Sequence, residues 1–307
     1  MRIALVDVDS KIPNIALQRI SSYHKHFGDE VALIRLGNDY YKGGKRIFLS
    51  KIDYDSVYES CIFPSNQGLV MTDAPQYYRG GTGYSLITTL PPFIENCEQD
   101  TALYPSDGNY HTFLSRGCIR KCAFCVVPQK EGRLRIVRSV ESLPVSKVYY
   151  FWDNNFLALP ECEMILGDLI ARRYRFRFAQ GLDIRCLTQK KWDLLRAARY
   201  DGEMTFALDD LSLAKFVQGR LDGMMANRKK WGVRWYVYVN EKTSMEDAMA
   251  RLVLLRDAKC LAYLTRDKDC MHRKDFRDLA AWCNQPGMFK TISYEQFKLK
   301  RNGHGNA

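Results

Sequence analysis

The sequence contains no uninterrupted apolar run approaching the roughly 18–20 residues that cross a bilayer, so no membrane segment is expected. It contains no internal repeat and no low-complexity tract. Its first residues, MRIALVDVDS, turn acidic before an apolar core of signal-peptide length develops, and a cytoplasmic protein is the expectation. Two glycine-rich stretches lack what would make them phosphate loops. GGTGYS (80–85) is not followed by the Lys-Ser/Thr pair, and KGGKR (42–46) has Asp39 where glycine is required and Arg46 where Ser or Thr is required. Both are read as loops, GGTGY with a place in the wall of a substrate cavity as its alternative. DVDSK, closing the first strand, is a second candidate substrate loop, because doubly wound sheets bind ligands at strand C-termini.

What is present fits a globular chain of 307 residues, long enough for two domains, with 46% apolar and 26% charged residues. Ten cysteines spread over such a length read as reduced thiols rather than a disulfide framework. Only Cys118, Cys122 and Cys125 cluster; the other seven are scattered as core thiols often are. A net charge of +11 leaves a nucleic-acid partner open. The basic residues concentrate in RRYRFR (172–177), NRKKWGVR (227–234) and the tail KLKRNGHG, each either a polyanion surface or the solvated end of a helix.

Hydrophobic patterning gives an α/β protein. IALVDV (3–8) has the apolar, β-branched character of a buried parallel strand. Ala16, Ile20, Tyr23 and Phe27 then mark a helix face closed by Gly28, and EVALIRL (30–36) and SVYESCIFP (56–64) read as further strands. This start is of the doubly wound, Rossmann-like type and covers residues 1–105. The stretch ENCEQDTALYPSDGNY is polar and rich in turn residues, as a linker would be. From residue 106 to 290 six candidate strands alternate with helical segments: TFLSRG (112–117), KVYYFWD (147–153), RFRFAQGLD (175–183), EMTFALDD (203–210), RWYVYVN (234–240) and CLAYLTR (260–266). That count over that length suggests a partial (β/α)6 barrel. A helix over 243–257 is expected to open with the capping box Thr243-x-x-Glu246 and to place Met245, Ala248, Leu252 and Leu255 on one face. Residues 291–307 form a basic C-terminal tail.

The stretch CIRKCAFC (118–125) supplies three thiols at x3 and x2 spacing with no fourth nearby. A structural zinc site takes four ligands, usually as two separated pairs, and most iron–sulfur clusters take four cysteines. Three ligands leave one metal position open for chemistry. The motif follows TFLSRG, at the C-terminal end of the first barrel strand, the end where barrel active sites lie. Gly117 lets the chain turn, and Arg120 and Lys121 favour thiolate over thiol. SRGCIRKCAFCVVP thereby resembles the signature of the radical S-adenosylmethionine (SAM) superfamily, and the partial-barrel pattern agrees with that family's core.

The resemblance implies that Cys118, Cys122 and Cys125 hold a [4Fe-4S] cluster whose fourth iron is chelated by SAM. It further implies reductive cleavage of SAM to a 5′-deoxyadenosyl radical that abstracts a substrate hydrogen, with a flavodoxin- or ferredoxin-type protein as one-electron donor. In the family an aromatic at the position of Phe124 lies by the adenine. Where relatives carry a Gly-Gly-Glu-like segment against the SAM ammonium, this chain has FWDNNF, so Asp153, Asn154 and Asn155 are the matching groups, an ordinary Asx turn being the alternative. After the third strand come Gln180, Asp183 and Arg185, the last two as contacts to SAM or as partners of one another. At the fourth strand Asp209 and Asp210 are read as helix caps before substrate contacts. The fifth strand lacks the family's glycines near the adenine, which leaves Tyr238 and Asn240 as its candidates.

Residues 1–105 resemble the cobalamin-binding-like domain of one branch of the superfamily. The Asp-x-His-x-x-Gly motif is missing after LVDVDSKIPN, so cobalamin is not expected. With only Cys61 and Cys97 in this half, a second N-terminal cluster of the methylthiotransferase kind is not expected either. The reading is a radical SAM enzyme acting on a large or polar substrate, nucleic acid ahead of peptide because of the basic balance. The alternatives are a peptide-modifying radical SAM enzyme and a non-enzymatic iron–sulfur redox or sensor protein.

Overall fold

The computed structural model describes residues 1–37, 45–105 and 107–303. Asp39, residues 42–44 of KGGKR and the last four residues of the basic tail lie outside the described residues. The chain is mixed α/β with several parallel sheets, and it divides into two compact units. One comprises residues 1–112 and 120–132, the other residues 113–119 and the chain from 133 onward. No helix among the described residues is long and apolar enough to cross a membrane.

The first unit begins with β1 (Arg2–Asp7), α1 (Ile15–His26), β2 (Glu30–Arg35), β3 (Ile47–Leu49), β4 (Ser56–Ser60), β5 (Val70–Thr72) and β6 (Gln76–Gly80). Short elements follow: α2 (Pro92–Glu95), β7 (Tyr110–Thr112) and α3 (Val127–Lys130). Its main sheet is parallel with order β2-β1-β4-β6. Alternation along β1 sends Ile3 and Leu5 to one face, against Leu17 and Ile20 of α1, and Ala4 and Val6 to the other. Asn14 caps α1 through the Leu17 amide at 3.2 Å, and Gly28, at φ +77°, follows its end. A doubly wound sheet carries helices on both faces, whereas here, among the described residues, the second face is covered by the two-stranded parallel ladder of β3 and β5 through Leu49 and Val70. The stretch read as a linker is instead partly core. Leu103 and Tyr104 pack with α1, and the Tyr104 hydroxyl donates to buried Asp7 at 2.9 Å.

The second unit contains β8 (Ser115–Arg116), β9 (Arg135–Ile136), β10 (Tyr149–Phe151), α4 (Cys162–Ala171), β11 (Arg175–Phe178), α5 (Gln189–Ala197), β12 (Arg199–Tyr200) and β13 (Met204–Ala207). It continues through α6 (Ala214–Asp222), β14 (Val233–Val239), α7 (Met245–Asp257), β15 (Leu261–Arg266), α8 (Lys274–Cys283), α9 (Pro286–Thr291) and α10 (Tyr294–Gly303). β10, β11 and β12 pair in parallel, as do β13, β14 and β15, and the parallel bridge Leu182–Phe206 links the two groups. Five of the six expected strands lie within this arrangement. The first does not form as a single strand. TFLSRG is divided between β7 and β8, and β8 pairs antiparallel with β9, because the Leu114 and Ser115 amides are taken by the Asp153 carboxylate instead of a ladder. Helix α7 starts one residue later than its capping box predicts, with Ser244 rather than Thr243 accepting from the Asp247 amide at 3.0 Å. The basic tail is helical as far as Gly303. Tyr294 and Phe297 are buried, with Tyr294 5.5 Å from the Trp282 ring.

Candidate metal and cofactor site

In the second unit, the C-terminal ends of β10 and β11 bring several sequence-predicted residues together around Cys118. Gly117 takes φ +89°, a left-handed conformation that glycine adopts without a Cβ clash, and this turns the chain into the motif. Asp153, fully buried, accepts from the Leu114 amide at 3.1 Å, the Ser115 amide at 2.6 Å and the Ser115 hydroxyl at 2.5 Å. Burial pushes its pKa up to about 6 against the pull of these donors. Its oxygens are occupied by the strand that leads into the cysteines. Asp153 is therefore a clamp on that strand rather than a group open to a ligand, which corrects its assignment as an ammonium contact. Asn154 acts likewise, accepting from the Gly117 amide at 2.9 Å.

Asn155 differs. Its Nδ2 donates to Cys118 Sγ at 3.3 Å and to Asp183 Oδ2 at 3.4 Å. The opposite amide orientation would set its oxygen against a sulfur and a carboxylate, so the donors fix the rotamer. Its Oδ1 is buried without a hydrogen-bond partner, and such an acceptor costs about 1–3 kcal/mol. Asp183 is in turn held by Arg185, whose Nε donates at 2.7 Å and whose Nη2 donates at 3.2 Å. Of the two readings for this pair, the structure has the ion pair. The exposed Gln180 precedes Gly181, whose φ of +99° favours glycine.

Farther along the same strand ends, the candidate side chains serve their own loops. The Tyr238 hydroxyl donates to Asp267, and burial followed by that carboxylate raises its pKa. Asn240 Oδ1 accepts from the Lys242 amide at 3.0 Å and the Thr243 hydroxyl at 3.1 Å. Asp210 caps the turn after it through Ser212, as expected, whereas half-buried Asp209 accepts from the Tyr238 amide at 3.2 Å. Sequence reasoning missed Arg251. Buried on α7, it donates to Asp247 and to the carbonyls of Leu208 and Tyr238 and so ties the ends of β13 and β14 together. The available signal was an arginine within an apolar helix face, four residues after an aspartate.

The motif itself is divided between the units: Cys118 belongs to the second, and Cys122, Phe124 and Cys125 to the first. All three cysteines are half-buried thiols, the Cys125 amide donates to the Cys122 carbonyl at 3.0 Å, and Phe124 is 43% exposed. Among the described residues no three His, Cys, Asp or Glu side chains converge as ligands of a single ion.

In the first unit the crevice between β1 and β4, where the strand order reverses, is filled by the chain itself. Asp9 accepts from the Ile62 amide at 2.7 Å, the Phe63 amide at 3.0 Å and Asn66 Nδ2 at 3.0 Å. Burial, with Asp9 beside it, pushes the Cys61 thiol up to about 12. The glycines of GGTGY pack onto this residue. A Cβ on Gly81 would lie 2.3 Å from the Cys61 carbonyl oxygen, and one on Gly83 would lie 2.8 Å from it. Of the two readings for GGTGY, the turn is the one seen, and DVDSK is likewise engaged internally.

No protein-family model matches the chain, and no curated protein matches it.

Proposed function

We propose that the chain is a radical SAM enzyme, with the second unit as a partial (β/α)6 barrel and the first as a Rossmann-like, cobalamin-domain-like module, working in the cytoplasm. The observation that carries this reading is Asn155 beside the first cysteine of Cys118-x3-Cys122-x2-Cys125. One N–H points at the sulfur, and a buried oxygen stands ready for a donor. The donor set fits a [4Fe-4S] cluster: three soft thiols in one short loop, one per iron, need not converge on a point as the ligands of a single ion must. The fourth iron is then left for the amino and carboxylate groups of SAM. The residues also fit SAM itself, since a donor such as an N–H of its iron-bound amino group is what the unpartnered Asn155 Oδ1 lacks.

When bound, the cluster and SAM supply an electron and a sulfonium that together yield a 5′-deoxyadenosyl radical able to take a hydrogen atom from a substrate. The chain supplies position. Asp153 and Asn154 fix the backbone of residues 114–117, and hence the point at which the cysteine loop begins. Asn155 orients Cys118 and would accept from the amino group of SAM. The Asp183–Arg185 pair holds the Asn155 amide in place. Phe124 offers an aromatic face to the adenine. A flavodoxin- or ferredoxin-type protein is the one-electron donor. The substrate is large or polar, and the charge of +11 favours nucleic acid.

The test is anaerobic incubation of the reconstituted protein with SAM and dithionite. Release of 5′-deoxyadenosine, abolished by Cys118→Ala, Cys122→Ala and Cys125→Ala together, supports the reading. A reconstituted cluster that never cleaves SAM makes the protein a redox module instead.

A further inference from the structure

At the N-terminal ends of β14 and β15, the ends of the parallel strands opposite to Asn155 and Asp183, the loop before β14 presents Lys229, Lys230 and Trp231. The loop is built, not slack. Arg228 anchors it by donating to the carbonyls of Leu221 at 2.5 Å, Met225 at 2.9 Å and Ala258 at 2.6 Å. The Trp231 amide donates to the Lys259 carbonyl at 2.6 Å. Gly232 admits the close return, since a Cβ there would lie 2.9 Å from Lys229 Cβ. Trp231 and Lys259 both hold positive φ, +61° and +56°, where glycine would be free of strain and a bulky residue is held only by its surroundings.

The charge around the indole is one-sided. Lys259 Nζ and Lys290 Nζ lie 5.9 and 5.7 Å from the centre of the Trp231 ring, two like charges drawn to one aromatic. Among the described residues none of Lys229, Lys230, Lys259 and Lys290 forms an ion pair, and Arg228 is bonded to three carbonyls and to the Cys260 thiol, so no carboxylate neutralises it. Asp257, at the end of α7, is not paired with any of them. Five cations without an ion-pair partner, three on this loop and two (Lys259 and Lys290) from the elements beside it, make a field that an anion relieves, and a partly buried indole near them gives a planar ligand group a surface on which to stack.

We propose that this surface, Trp231 with Lys229, Lys230, Lys259 and Lys290, is a docking site for single-stranded nucleic acid: the lysines meet phosphates and the indole stacks on a base. It deepens the proposed substrate class and rests on it for its biological meaning, while the binding itself needs no cluster. The site anchors the substrate away from the cysteine loop and takes no part in the chemistry. A stacked base is worth about 1–3 kcal/mol, and each phosphate contact adds about 0.7 to the salt slope.

The test uses the full chain with a fluorescent single-stranded RNA in one arm and inorganic polyphosphate, which has charge but no bases, in the other. Trp231→Ala should weaken RNA binding about tenfold and leave polyphosphate binding unchanged. Lys259→Gln with Lys290→Gln should weaken both and lower the RNA salt slope by about 1.4. The glutamines remove the charge and keep a polar side chain only one bond shorter, so this pair decides the matter if Trp231→Ala fails to fold. Equal loss of both probes in Trp231→Ala removes the stacking role. An unchanged salt slope in the lysine pair, or binding to anionic lipid vesicles without binding to RNA, overturns the site. Failure here leaves SAM cleavage untouched, and absence of SAM cleavage leaves RNA retention untouched, so the two claims fail separately.

Discussion

Asn155 directs both of its N–H groups to neighbours and keeps its oxygen buried and unpartnered, and from this follows the clearest residue-level prediction. Asn155→Leu preserves volume and removes the acceptor. A hydrogen bond of this kind contributes about 0.5–1.5 kcal/mol, so SAM affinity should fall about two- to tenfold in equilibrium binding to protein that still assembles its cluster. Unaltered affinity would show that the amino group finds its acceptor elsewhere. Asp153 gives a prediction in pH. Its folded pKa is raised toward about 6 by burial, above the unfolded value, so ionisation works against the fold. The part of the stability that depends on this group is fully present below about pH 4 and is lost as the pH rises through about 6. Asp153→Asn cannot ionise, and urea denaturation across that range should show wild type losing stability relative to the variant. The variant should nonetheless be the weaker protein at neutral pH, because its NH2 faces amide donors from Leu114 and Ser115.

At the scale of elements, much of the architecture was legible. RWYVYVN alternates strictly, with Val233, Trp235, Val237 and Val239 buried and the residues between them half-buried, so β14 followed from period alone. The cysteine cluster was legible because Cys118, Cys122 and Cys125 lie close together in the chain. The clamp at its base was not, because Asp153 meets the Ser115 amide across 38 residues and no local pattern encodes that pairing. The division of TFLSRG followed from the same contact. GGTGY suggested a ligand loop because glycines that admit a phosphate and glycines that admit a neighbouring carbonyl look alike in sequence. Gly81 is one of the latter. Gly81→Ala would bring a methyl against the Cys61 carbonyl at a backbone φ of +91°, so the protein should lose about 1–3 kcal/mol or more in chemical denaturation. A neutral Gly81→Ala would show that the turn yields more easily than its packing implies.

For the whole molecule, composition bounded the answer without choosing it. A charge of +11 is compatible with any polyanion, and only the placement of unpaired lysines around Trp231 turns that excess into a surface. In the proposed function the chemistry depends on three thiols and the residues that aim the first of them. Electron paramagnetic resonance of the anaerobically reconstituted, dithionite-reduced protein, recorded with and without SAM, tests this most directly. The account predicts a [4Fe-4S]+ signal that changes shape when SAM is added and is missing from the triple cysteine variant. No such signal, or one indifferent to SAM, would contradict it.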